Sequence, residues 1–284
     1  MSLRLGVTLP TFTAEPRLAL RAAAVAEAEG LDGVFAFDHL WPLGRPDRPA
    51  MWSFGVLGAV AAVTRQLFVG PLVARVGLLR DNDLIGAVRA LASMAGPARV
   101  VAALGVGDHL SESENRAYGA VFGSVVDRMT ELEHVARALV AAGVTTWIGG
   151  TSPAVAEAAR SVAAAVTPVA EAARPVDAAA APSTPFARNL WAASVEEVAA
   201  AAATVPVTWA GQILVGRDTG ELRTLRDRFA ERPGVVSGVP EEVAAHLAEL
   251  HAAGAGWCVC TPLDYLVRPV EAVKTVCLVR RAVT

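Results

Sequence analysis

An alternation runs along nearly the whole length of this chain. A short run of apolar β-formers is followed by an alanine-rich segment with helical spacing, and the cycle repeats. Strands are expected at residues 5–9, 34–37, 67–73, 99–104, 145–149, 164–168, 208–215 and 256–261. Helices are expected at 16–29, 54–63, 81–93, 125–142, 153–163 and 195–203, then a pair at 219–231 and 240–253, and a closing helix at 270–283. The strands are apolar throughout rather than alternating, as parallel strands covered on both faces by right-handed crossover helices must be. Eight such units in 284 residues favour a closed (β/α)8 TIM barrel over an open doubly wound sheet. The whole of 1–284 then forms a single barrel domain, with a Pro/Ala-rich excursion near 174–187 and an extra helical segment near 219–253.

Composition narrows the partners. With 54% hydrophobic residues the chain can bury a large core, and a net charge of -3 supplies no electrostatic pull toward nucleic acid or an anionic membrane. Small molecules and protein subunits are the expected partners. The cysteines are Cys258, Cys260 and Cys277; the first two stand one residue apart on a strand and so point to opposite faces rather than bridging. An odd, sparse count suits a reduced, cytoplasmic protein. The first ten residues read as a strand rather than a signal peptide. The uncharged run 138–156 is broken by Gly143, Gly149, Gly150 and Pro153, which excludes a membrane span there.

If the barrel is correct, the residues just after each strand converge on one mouth, where such folds do their chemistry. These are Pro10, Thr11 and Phe12; Asp38, His39 and Trp41; Ala74 and Arg75; Gly107, Asp108 and His109; Gly150, Thr151 and Ser152; and Pro262 and Asp264. No three of them have metal-ligand spacing, and neither a Gly-x-Ser-x-Gly elbow nor a P-loop is present. The stretch 33–42 is the most informative: apolar residues to Phe37, then Asp38, His39 and Trp41, an arrangement suited to a flat aromatic ligand. His39 is an imidazole at a strand end, usable for proton transfer or as a structural hydrogen-bonder. Asp38 suits orienting its surroundings better than donating a proton. Arg75 suits either an anionic ligand group or an ion pair with an acid. Gly149, Gly150, Thr151 and Ser152 precede Pro153 at a helix start, which fits a phosphate site and equally an ordinary capped helix.

The segments 6–12 (Gly-Val-Thr-Leu-Pro-Thr-Phe), 34–41, 69–80, 105–108 (Gly-Val-Gly-Asp) and 147–155 (Trp-Ile-Gly-Gly-Thr-Ser-Pro-Ala-Val) together resemble the luciferase-like monooxygenase superfamily, and within it the branch that uses the deazaflavin coenzyme F420. The resemblance runs along the whole chain in order. It implies a homodimeric (β/α)8 barrel that binds F420, or alternatively FMN, at the carboxyl face and transfers a hydride to or from a small organic substrate. An FMN-dependent monooxygenase using reduced flavin and oxygen is the alternative activity; a barrel that only binds a ligand or partner is the other. By the same resemblance His39 handles a proton beside the coenzyme ring, with Asp108 and His109 as further catalytic candidates. Leu72 and Val73 match the site of a non-proline cis peptide behind the ring. Gly150, Thr151, Ser152, Pro153, Ala154 and Val155 match the phosphate loop, Gly107 borders the ring, and Phe12, Trp41 and Arg75 line the substrate pocket.

The chain also departs from that pattern. It carries Ala95, Gly96, Pro97, Ala98 and Arg99 where relatives have Ser-Gly-Gly-Arg, and Asp108, His109 and Leu110 where sugar-phosphate dehydrogenases place a glutamate. Its only lysine is Lys274, so a sugar-phosphate substrate is disfavoured. At the expected sixth strand, Ala164, Ala165 and Val166 stand in place of Asp-Gly-Trp, which predicts an apolar mouth on that side.

Overall fold

The computed structural model describes residues 2–42, 44–172, 185–229 and 232–283. Its elements run β1 (Arg4–Thr8), α1 (Pro16–Ala28), β2 (Gly33–Ala36), α2 (Ser53–Val63), β3 (Phe68–Pro71), β4 (Ala74–Arg75), α3 (Asp81–Ala95), β5 (Val101–Gly105), α4 (Ser111–Ala117), α5 (Val125–Ala141) and β6 (Thr145–Gly149). They continue with α6 (Pro153–Ala172), β7 (Phe186–Trp191), α7 (Val195–Ala202), β8 (Val207–Val215), α8 (Thr219–Phe229), β9 (Val236–Gly238), α9 (Pro240–Ala252), β10 (Ala255–Pro262) and α10 (Pro269–Val283). The ladder order is β3-β2-β1-β10-β8-β7-β6-β5-β4, with parallel pairing throughout. Its two ends, β3 and β4, are consecutive stretches of one strand, and Val69 also bridges Val100 ahead of β5. The ladder therefore closes into a (β/α)8 barrel. The short β9 lies off this ring, pairing with the last three residues of β8.

The expected sixth strand at 164–168 is corrected: those residues belong to α6, which runs on to Ala172. Alanine is the strongest helix former, and the glycine-free run after Pro153 has nothing to stop the helix before residue 164. The sixth barrel position is filled by β7, whose Arg188 and Asn189 interrupt the apolar pattern used to find strands. The inference from Ala164, Ala165 and Val166 to an apolar mouth falls with that placement. Of the excursion near 174–187, residues 174–184 lie outside the described residues, and Phe186 and Ala187 open β7. Neither α4 nor β9 was expected, because Ser-Glu-Ser-Glu-Asn-Arg-Ala has no apolar period and Val-Ser-Gly is too short to register.

Two apolar layers result. One lies between the barrel and its helices. The other fills the barrel itself with Phe35, Phe68, Val101, Trp147, Trp257 and Val259 among others. Phe35 and Trp147 have ring centroids 5.4 Å apart, Trp147 and Trp257 5.6 Å, and Phe68 and Trp257 5.3 Å. With the lower barrel packed solid, a ligand has to bind above it, at the carboxyl ends of the strands. The three cysteines are free and buried. Burial pushes the Cys260 and Cys277 thiols up to about 12, so they stay protonated and unreactive. Among the described residues no helix is long and apolar enough to cross a membrane.

Candidate active site

The strand end that opens the site is tied down from three directions. Asp38, buried just past β2, accepts the Arg75 backbone amide at 3.0 Å and the Ser53 hydroxyl at 3.1 Å. It thereby joins the end of β2 to β4 and to the start of α2. Burial pushes its carboxyl up, partly offset by the Arg75 amide and charge, then Ser53. Asp38 thus holds the loop, and its next neighbour is His39.

His39 Nδ1 lies 3.2 and 3.1 Å from the two carboxylate oxygens of Glu114, a residue with no exposed surface. Arg75, only 3% exposed, donates from Nη2 to Glu114 Oε2 at 2.5 Å, from Nη1 to the Ser111 carbonyl at 3.0 Å, and from Nη2 to the Asp38 carbonyl at 3.3 Å. Burial alone would push the Glu114 carboxyl up, but the hydrogen bonds and charges of His39 and Arg75 outweigh it and hold it below the usual carboxylate range. An ionised carboxylate only accepts, so Nδ1 must be the donor, and neutral His39 carries its lone pair on Nε2. Among the described residues Nε2 has no hydrogen-bond partner. With the side chain 24% exposed, this nitrogen is open to a ligand.

Beside it, the peptide bond between Leu72 and Val73 is cis, at the position the resemblance assigned. The Val73 side chain stands on a glycine floor. A β-carbon added to Gly105 would lie 2.5 Å from Val73 Cγ2, and one added to Gly149 would lie 2.8 Å from Val73 Cγ1. Neither position tolerates a side chain unless Val73 moves. Gly107, at φ 68°, turns the chain directly over Arg75, whose Cδ would lie 2.8 Å from an added β-carbon. Arg128 secures this turn from outside by donating to the Val106 and Gly107 carbonyls at 2.5 and 3.0 Å.

The loop after β6 offers amides. Ser152 caps α6 by accepting the Val155 amide at 3.3 Å, and the buried Val155 packs beneath Gly150. Among the described residues no acceptor takes the amides of Thr151, Ser152 or Ala154, which surround Pro153 at the exposed start of a 20-residue helix. Arg188 from β7 donates to the Gly150 and Thr151 carbonyls, both at 3.3 Å, which turns those carbonyls away from the free amides. Capping and anion binding, left as alternatives by the sequence, are here compatible: the hydroxyl takes one amide and leaves others open.

Two aromatic rings flank His39, and two more pack on those. Phe12 and Phe37 stack at 5.8 Å with planes 2° apart, at 6.3 and 6.4 Å from the His39 ring. Trp191 meets Phe37 edge-on at 6.2 Å, and Tyr265 lies 6.4 Å from Phe12. Trp41 is half-buried and touches no other aromatic ring among the described residues. Asp108 and His109 are exposed; the Asp108 carboxylate accepts the Leu110 and Ser111 amides at 2.9 and 3.1 Å and so caps α4. Arg75 lies beneath the mouth, occupied by Glu114. Glu114, Trp191 and Tyr265 escaped the sequence reading. Glu114 sits in a polar stretch that looks solvated, and Trp191 belongs to the misplaced sixth strand. Among the described residues no metal-ligand cluster is present.

No family model matches the chain. Over 111 residues it is 31% identical to an F420-dependent glucose-6-phosphate dehydrogenase from Beutenbergia cavernae, which is 39% of this chain and 33% of that protein's length. An F420-dependent secondary alcohol dehydrogenase in complex with an F420-acetone adduct superimposes with a TM-score of 0.72 over 100% of both chains, at 14% identity. The fold is that of the luciferase-like TIM barrels. A riboflavin lyase with modified FMN and riboflavin aligns over 100% of this chain and 93% of its own, with a TM-score of 0.64 and 13% identity. Such low identities establish the architecture; the activity has to be argued from the site.

Proposed function

We propose that this luciferase-like barrel is an oxidoreductase that uses coenzyme F420 and exchanges a hydride with a small organic substrate, His39 carrying the accompanying proton. The observation that carries this reading is a histidine with one nitrogen fixed by a buried carboxylate and the other free, on a mouth that also presents unclaimed helix amides. When bound, a deazaflavin gives or takes the hydride at its ring.

The chain's own groups supply the rest. The amides of Thr151, Ser152 and Ala154, at the positive end of the α6 dipole, suit the coenzyme's phosphate. Val73, propped on Gly105 and Gly149, suits one face of a flat ring. His39 Nε2 takes the proton from an alcohol undergoing oxidation, or returns it to a carbonyl undergoing reduction. Glu114 keeps Nδ1 protonated and steadies the imidazolium that forms, while Arg75 keeps Glu114 ionised. Asp108 and His109 lie on the rim and fit capping and substrate contact better than proton transfer.

Titration of the purified protein with F420 and with FMN, followed by fluorescence, tests the choice of coenzyme. Micromolar F420 binding is expected, weakened at least tenfold in Gly105→Ala, where Val73 must shift. Tight FMN binding with none for F420 would replace this reading by the flavin-dependent one, to which the fold likeness with the riboflavin lyase lends support. Binding of neither would leave a barrel without this chemistry.

We also propose a homodimer. Helix α2 carries no charge on any face, yet leaves Gly55, Ala59, Ala62 and Val63 exposed. A helix apolar all round is normally covered. Light scattering should return twice the chain mass of 29.4 kDa; a mass of one chain would rule the dimer out.

A further inference from the structure

The two rings beside His39 and the two packed on them come from four separate strand ends: Phe12 follows β1, Phe37 follows β2, Trp191 ends β7 and Tyr265 follows β10. Separate loops are thus recruited to build one apolar wall, with the stacked Phe12 and Phe37 pair at its centre and Trp191 across it. Trp191 remains 39% exposed, a large apolar side chain left for something to cover.

Charge decides what that something is. The cation nearest His39, Arg75, is buried and committed to Glu114, Ser111 and Asp38. Beyond Tyr265, Arg268 donates to Asp264 and Glu221. The single lysine, Lys274, pairs with Glu271 on α10. Arg188 has no carboxylate partner among the described residues, and its Nη2 donates to the Gly150 and Thr151 carbonyls of the loop after β6. Among the described residues the cations near this wall are held elsewhere, so a phosphate or carboxylate placed against it would give up its water without gaining an ion pair there, a penalty that a neutral group escapes. Among the described residues the polar groups open on this wall are His39 Nε2, the Trp191 indole N–H and the Tyr265 hydroxyl, which suit a neutral hydroxyl or carbonyl oxygen.

We propose that the substrate is an uncharged, ring-bearing alcohol or ketone, its ring held by Phe12, Phe37, Trp191 and Tyr265 and its oxygen at His39. The role of the oxygen rests on the oxidoreductase reading; the ring site rests on the wall alone.

Calorimetric titration of the full chain with 2-acetylnaphthalene and with 2-naphthyl phosphate compares the same ring with a neutral and a charged head group. The ketone is expected to bind at least tenfold more tightly. Trp191→Ala and Phe12→Ala should each weaken it fivefold or more while keeping the wild-type melting temperature within a few degrees; Trp191, being exposed, covers the case in which Phe12→Ala misfolds. Equal or tighter binding of the phosphate would overturn the proposal, as would wild-type affinity for the ketone in both variants. Expulsion of the ketone by saturating F420 would also overturn it, because the wall would then be the coenzyme's. Absence of F420 binding defeats the oxidoreductase reading and leaves the ketone titration readable on its own.

Discussion

Replacing Glu114 by leucine should destabilise the protein by about 3–5 kcal/mol, the usual cost of removing one partner from a buried ion pair. The loss comes less from the vanished attraction than from Arg75, which at 3% exposure would keep its charge with its carboxylate partner gone, no water, and only the Asp38 group nearby. At about 2–4 °C per kcal/mol the melting temperature should fall by roughly 10 °C. The double variant with Arg75→Met should recover much of that, because removing both charges leaves neither stranded. The milder Glu114→Gln adds a pH signature. The Glu114 carboxyl is held below its ordinary value by His39 and Arg75 against the effect of burial, so its contribution is complete above the unfolded value of about 4.5 and disappears as the pH falls through the depressed folded value. The gap in melting temperature between wild type and Glu114→Gln should therefore narrow in acid. A Glu114→Leu variant within 1 kcal/mol of wild type in urea melts would show that the pair is not buried as described.

His39→Ala should lower kcat/KM by about a hundred- to ten-thousand-fold, the span of a positioned general acid or base. The affinity for F420 should stay within a few fold, since Val73 and the amides proposed for its phosphate are untouched. That separation matters: a fall in coenzyme affinity as large as the fall in rate would make His39 a packing residue. Glu114→Gln should have an intermediate effect on rate, because its amide oxygen can still accept from Nδ1 and keep Nε2 as the basic nitrogen, while the charge that steadies the imidazolium is lost.

The sequence signals of this fold are unevenly spread along the chain. Seven of the eight barrel positions show as apolar runs, because a strand covered on both faces must be apolar along its length. The sixth failed because β7 carries Arg188 on its helix side and Asn189 on its inner side, where Asn189 donates to Thr208 at 2.9 Å. A polar residue satisfied by a neighbouring strand looks like a loop residue when read alone. His39 and Asp38 were visible as a polar pair ending an apolar run. Glu114 was not, since it lies 75 residues from His39 in the chain on a short polar helix, and its burial is a product of the closed barrel. The Leu72–Val73 cis bond was placed by resemblance, whereas the reason Val73 fits there, glycines at 105 and 149, emerged only when three strands were side by side.

If this mouth binds a deazaflavin, a crystal structure of the protein with F420 will show it there. The coenzyme's phosphate is expected within hydrogen-bonding distance of the Thr151, Ser152 and Ala154 amides, its ring against Val73, and His39 Nε2 facing the ring. Density for F420 elsewhere on the molecule, or a mouth that stays empty at saturating coenzyme, would contradict this placement.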